Sequence, residues 1–216
     1  MAIYNAGYLS PIRKKLGNAV GRKWRTLDVL AVYQPFVHNP NTEAQQLVRT
    51  RFAAIARLAM AFDMAVKLGF ENICKGTKVP QRSMFIKKNW SCVSASTPGT
   101  ATMDYTGMVV AEGSLPEAGF GSASYAEPLT VEVPLTDTCE LPFTSSNDIV
   151  YLFVYDPEAG LGVMDTATRA DETIKVIVPS LWNGHRVHVY GFAIGNGSEN
   201  KGMVSPSRYL GSGTIS

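Results

Sequence analysis

The sequence predicts an α+β chain that is mostly β. A basic β-hairpin and a long α-helix occupy residues 1–99, and an acidic antiparallel β-sandwich occupies residues 100–216. Three observations predict this. Charge changes sign along the chain: residues 1–100 carry a net +11 and residues 101–216 a net −9. One early segment places apolar residues at helical spacing. Beyond residue 100, short β-rich runs alternate with turn residues.

Composition supports a packed core. Of 216 residues, 45% are apolar and the net charge is only +2, which sets the chain apart from disordered ones. Cys74, Cys92 and Cys139 are odd in number, far apart and without a CxxC pair, so neither a disulfide framework nor a common zinc spacing is expected. The N-terminal segment lacks the apolar stretch of a signal peptide, and no apolar run reaches the ~18 residues of a membrane span. The expectation is synthesis in a reducing cytoplasm without a signal peptide and no membrane partner. The sequons at Asn89 and Asn196 are then chance matches.

The first element lies in "SPIRKKLGNAVGRKWRTLDVLAVYQP", Ser10 to Pro35. Residues 18–33 read as a β-hairpin, with Val20, Arg22 and Trp24 alternating against Ala19, Gly21 and Lys23. Its charges are expected on one face. Gly17 and Gly21 allow a bulge or a close approach by another backbone. "GNAVGRKW" is not a phosphate loop: the glycine spacing is short and the Ser/Thr is missing. Arg13, Lys14, Lys15, Arg22, Lys23, Trp24 and Arg25 are the candidate contact residues. Their chemistry suits phosphates and stacked bases, or an acidic protein surface, or a sheet edge guarded by charge.

The connector "QPFVHNPNT" leads into the clearest helix. Thr42 and Gln45 have capping-box spacing, with Asn41 as an alternative cap. Val48, Phe52, Ile55, Ala59, Phe62 and Val66 form one stripe over about seven turns. Lys67 suits the last turn and Gly69 the C-cap. The stripe is expected to pack on the protein's own core. A shorter helix follows Pro80, with Ile86, Trp90 and Val93 on one side.

The second half reads as six or seven short strands: "YTGMVVAEG", "LTVEVPL", "DIVYLFVYDP", "TIKVIVP", "HRVHVYGFAIG" and "SRYLGSGTI". "IVYLFVY" is apolar on both faces and should be central. Ile174, Val176 and Val178 point opposite to Thr173, Lys175 and Ile177. In "VPSLWNGHRVHVYGFAI", Leu181 is placed in the core and Asn183-Gly184 at the turn. This corner predicts an immunoglobulin/fibronectin-like antiparallel β-sandwich, although the usual corner tyrosine is replaced by Val187 or Val189.

Catalytic signals are weak. His185 and His188 are three apart at a strand entry and should face opposite sides, and His38 stands alone. No G-x-S-x-G elbow is present. Glu127, Glu132, Asp137, Glu140, Asp148, Asp156, Asp171 and Glu172 are read as turn or surface carboxylates. No catalytic residue, metal ligand or cofactor is assigned.

The N-terminal segment, through "NPNTEAQQLVRTRFAAIARLAMAF", resembles the signature of domain-of-unknown-function family 6266, known from Bacteroidota and their phage-like elements. Its pattern falls here on Gly17, Gly21, Trp24, Asn39, Pro40, Thr42, Ala44, Gln45, Arg49 and Phe52. "DYTGMVVAEGSLP", "VYLFVYDPEAG" and the C-terminal segment from Trp182 also look like this family, so the resemblance covers most of the chain. "IRKKLGN" departs from it, lacking a glycine near Lys14 or Lys15. The resemblance implies a hairpin-helix module joined to an immunoglobulin-like sandwich, with no established activity. Asn39, Thr42, Gln45 and Arg49 are expected to brace helix against hairpin.

The expected function is a non-enzymatic structural subunit of a phage or virus-like particle: a capsid, decoration or tail component. Its partners would be copies of itself or other structural subunits, with the virion as destination. The first alternative is a nucleic-acid-binding protein using the basic hairpin. The second is a carbohydrate- or surface-binding sandwich, which needs an exposed platform of Trp182, Tyr190 and Phe192.

Overall fold

The computed structural model describes residues 2–4, 12–25, 27–36, 39–125, 128–136 and 138–216. They form two compact units, Met1–Thr42 and Glu43–Ser216. The division thus falls after Thr42 rather than near residue 100. The helix explains the difference: its buried Ile55, Leu58 and Ala59 share one core with Phe153, Tyr155 and Tyr190 of the sandwich. The charge reversal near residue 100 separates two layers of one unit.

In the first unit, β1 (Ala2–Tyr4), β2 (Lys14–Leu16), β3 (Ala19–Trp24) and β4 (Leu27–Val32) form an antiparallel sheet in the order β1-β4-β3-β2. The predicted hairpin is its centre, running from the Ala19–Val32 pair to the Trp24–Leu27 pair. Arg25 turns the chain at φ +54°, the left-handed region that tight hairpin loops use. Gly21 meets a different need. A Cβ there would strike the Ile12 carbonyl, so the glycine admits a crossing backbone.

The second unit begins with α1 (Glu43–Ala61), α2 (Asp63–Gly69), α3 (Glu71–Cys74) and α4 (Gln81–Lys88). The predicted seven-turn helix is therefore broken at Phe62, which leaves helical geometry at φ −90°, ψ 9°. Its ring is the hub of an aromatic cluster, 4.6 Å from Phe153 and 4.8 Å from Tyr155. The stripe divides earlier, between Phe52 and Ile55: Ile55, Ala59, Phe62 and Val66 are buried, while Val48 and Phe52 are exposed. Gly69 is not a left-handed cap. It is the last residue of α2, and glycine is needed there because a Cβ would strike the Val110 carbonyl and Ala111. After Pro80 the short helix buries Phe85, with Ile86 and Trp90 only half-buried.

β5 (Val93–Thr97) and β6 (Thr100–Met103) pair as a hairpin, and β5 lies against α1. Residues 105–113, expected as a strand, are irregular. Side chains satisfy part of their backbone: Asn89 donates to the Val109 carbonyl and accepts from its N–H, and Ser207 Oγ accepts from Val110, while Glu112 N–H donates to the Gly69 carbonyl and the Ala111 carbonyl accepts from Ser207 N–H.

The sandwich comprises β7 (Gly119–Phe120), β8 (Thr130–Thr136), β9 (Ile149–Asp156), β10 (Leu161–Thr168), β11 (Thr173–Ile177), β12 (Arg186–Ile194) and β13 (Arg208–Thr214). One sheet runs β11-β8-β7 and the other β10-β9-β12-β13, with all pairs antiparallel. Three strands packed on four in this order are an immunoglobulin/fibronectin-like sandwich. β9 has no solvent face. Val150, Leu152 and Val154 enter the core between the sheets, and Phe153 and Tyr155 enter the core beneath the helices. The architecture of this unit is sheet, sheet, helices, with β9 and β12 in the middle layer.

The inter-sheet corner differs by one residue from expectation. Leu181 is 72% exposed, and Trp182 fills the core. A single 3₁₀ turn over Ser180–Trp182 follows Pro179 and directs the indole inward.

Candidate interaction surfaces

The register of the first unit fixes where its cations point, because residues paired across antiparallel strands share a face. Lys14 pairs with Gly21, which places it on the side of Lys23; Lys15 pairs with Val20, on the side of Arg22 and Trp24. The charges therefore occupy both faces, contrary to the one-face expectation. An alternating strand that carries Arg22 and Lys23 in succession must split them. Lys15 sits over the Tyr33 ring at 3.8 Å. Arg13, Lys14, Arg22, Lys23 and Arg25 make no ion pair among the described residues.

Apolar groups lie beside these cations. Ile3, Trp24, Val29, Leu27 and Ala31 share the Arg22 face through the β1–β4–β3 register. Among the described side chains of this unit only Val29 is buried, while Trp24 is 51% and Phe36 92% exposed. Asn39 and Thr42 end the first unit, and Gln45 and Arg49 lie one turn apart on the exposed side of α1 in the second. All four have bonding partners.

In the second unit the buried carboxylates are built into structural pairs. Asp148 and Asp156, read from sequence as surface carboxylates, are fully buried. Asp156 Oδ2 lies 2.7 Å from Nδ1 of His185, whose Nε2 is 3.6 Å from Glu158. The hydrogen bond to Asp156 raises the His185 pKa above 6.5. His188 faces the other side of β12, stacked on Tyr105 at 4.2 Å and 3.0 Å from the Tyr209 hydroxyl, and burial lowers its pKa. The opposite orientation expected for these two histidines holds. His38, Glu127 and Asp137 lie outside the described residues. Among the described residues no three His, Cys, Asp or Glu side chains converge as a metal site, and no helix is long and apolar enough to cross a membrane. Trp182, Tyr190 and Phe192 are all fully buried, so they form no platform for a sugar ring.

Two further surfaces were not legible in the sequence. At one end of the sandwich, the loop before β9 exposes Glu140, Leu141, Pro142 and Phe143. At the other end, a groove of about 560 Å³ lies between α1, the β5–β6 turn and the β9–β10 turn. Small residues floor it, among them Ala53, Ala54, Ala61 and Gly160, and Tyr105 and Tyr155 contribute to its wall. Arg57 is the only charged residue in the lining among the described residues; it is exposed and has no ion-pair partner there. The alanines that shape this groove look, in sequence, like ordinary helix formers.

Comparison with solved structures finds a likeness to the fn3 domain of the human collagen alpha-1(XX) chain, at 14% identity and a TM-score of 0.34, covering 48% of this chain and 87% of that one. No curated protein matches the sequence. The sequence model of the family of unknown function DUF6266 matches residues 11–211, nearly the whole chain, and the protein belongs to that family.

Proposed function

We propose that the protein is a non-enzymatic structural subunit of a larger assembly, of the phage or virus-like particle kind, and that the Met1–Thr42 unit is its contact arm. One observation carries this reading: the arm folds a four-stranded sheet yet buries only Val29 among its described side chains, leaving Trp24 and Phe36 in solvent. A unit of about 40 residues that buries so little among its described residues normally depends on a metal, disulfides or another protein surface. The charge distribution supports a protein surface. The arm carries a net +5 and the rest of the chain a net −3, so copies of the chain are complementary partners. The buried Asp148 and Asp156 are engaged with Arg169 and His185, which suits a rigid body more than a reaction centre.

The test is light scattering and electron microscopy of the purified chain. Oligomers or particles at low salt, weakened by Trp24→Asp, are expected. A strict monomer at high concentration and low salt would overturn the reading. The five cations that make no ion pair among the described residues favour a second reading, nucleic-acid binding through the arm. It requires affinity for DNA or RNA that falls steeply with salt; no binding at low salt would dismiss it.

A further inference from the structure

We propose that the Glu140–Phe143 loop of one copy docks in the Arg57 groove of the next, joining the Glu43–Ser216 units head to tail. The proposal rests on the self-assembly reading above but uses surfaces separate from the arm.

The loop is built to present its side chains. Leu141 is 45% and Phe143 62% exposed, although two large apolar groups in four residues would ordinarily turn inward. The backbone beneath them is held firmly. Asn200 Nδ2 donates to the Phe143 carbonyl at 2.8 Å, and Thr144 Oγ1 donates to the Thr138 carbonyl at 3.1 Å. Phe143 itself sits at φ +61°, a strained value for an aromatic residue. Such strain persists where the surroundings impose it, and it collects at recognition sites. A rigid loop loses little freedom on docking.

The groove offers the complementary chemistry. Ala53, Ala54, Leu58 and Ala61 in its mixed lining can receive Leu141 and Phe143, and the exposed guanidinium of Arg57, which has no ion-pair partner among the described residues, matches the Glu140 carboxylate in charge. Glu140 likewise has no ion-pair partner among the described residues. Within one molecule the two surfaces cannot meet. The loop precedes β9, whereas Pro157 and Gly160 of the groove follow it. Eight extended residues hold the ends about 25 Å apart. The occupant is therefore a second copy. A contact between two different surfaces leaves one of each unused, so it propagates as a ring or filament rather than closing as a two-fold dimer.

The geometry dictates the experiment: sedimentation velocity of the full chain in a Trp24→Asp background, which silences the arm. Species larger than a dimer are expected to grow with concentration. Arg57→Glu spoils the groove and Phe143→Asp the loop, and each should weaken association at least about tenfold. An equimolar mixture of those two variants should recover a heterodimer and stop there, because each partner supplies one working end. Glu140→Arg combined with Arg57→Glu should restore growth. If Phe143→Asp does not fold, Leu141→Asp replaces it. Association unaffected by Arg57→Glu and Phe143→Asp overturns the proposal. Assembly that requires only Trp24 overturns it while leaving the arm reading intact.

Discussion

The carboxylate of Asp148 lies 3.2 Å from Nε of Arg169, and both side chains are removed from solvent. The pair is a hub. Arg169 donates to the Pro116 and Glu117 carbonyls and to Thr138 Oγ1, while Asp148 accepts from the Ser145 and Asn196 amides and from Asn200 Nδ2. It ties the loop before β9 to the β12–β13 connection. Burying two charges is costly, and the surrounding hydrogen bonds offset that cost. Removing one partner leaves the other charge stranded. Arg169→Met should therefore cost about 3–5 kcal/mol by urea unfolding, and the double variant Asp148→Leu/Arg169→Met should recover much of it. A double variant as unstable as the single one would mean that the neighbouring hydrogen bonds, not the ion pair, dominate.

Trp182 and its neighbour Leu181 should behave oppositely. Trp182 lies in the core among Val150, Val187 and Ile215, so Trp182→Ala should destabilise by about 3–5 kcal/mol. Leu181 projects into solvent, so Leu181→Ala should stay within about 0.5 kcal/mol. Thermal unfolding of the two variants decides between these sites.

Gly69 should tolerate no side chain, although it lies in a helix where alanine is intrinsically better. The added Cβ would press on the Val110 carbonyl, which belongs to a rigid packed segment. Gly69→Ala should thus lose about 1–3 kcal/mol. Gain of stability would restore the simple helix-propensity view.

Much of the sandwich was legible because alternation survives burial. Val187 and Val189 against His188 and Tyr190, and Ile174 and Val176 against Lys175, all point where period two sends them. β10 is absent from the strands expected from sequence because Asp165, Thr166 and Thr168 break its apolar pattern; an edge strand needs little apolar character. The strand expected at 105–113 failed for the reverse reason. Its apolar residues are buried, but the side chains of Asn89 and Ser207 replace a strand partner, and no local pattern reveals pairings 20 and 97 residues away. The buried pair of Asp148 and Arg169 was invisible for the same reason, and so was the groove. Both arise where distant loops meet, and sequence spacing records only neighbours.

The two histidines of β12 and its entry should give stability opposite pH slopes. His185 has a raised pKa, first because Asp156 accepts its hydrogen bond, then through the charges of Asp156 and Glu158. Its contribution is complete below the unfolded value of 6.5 and disappears as pH rises through the higher folded value. His188 has a pKa lowered by burial and then by Arg186. Its contribution is present above 6.5 and is lost as pH falls through the lower folded value. Urea unfolding from pH 5 to 8 should therefore show His185→Gln removing a decline on the alkaline side and His188→Gln removing one on the acid side. Imidazole proton shifts measured by NMR provide the direct check, with one pKa on each side of 6.5. Two coincident titrations at the ordinary value would mean that neither the Asp156 bond nor the Tyr105 stack persists in solution.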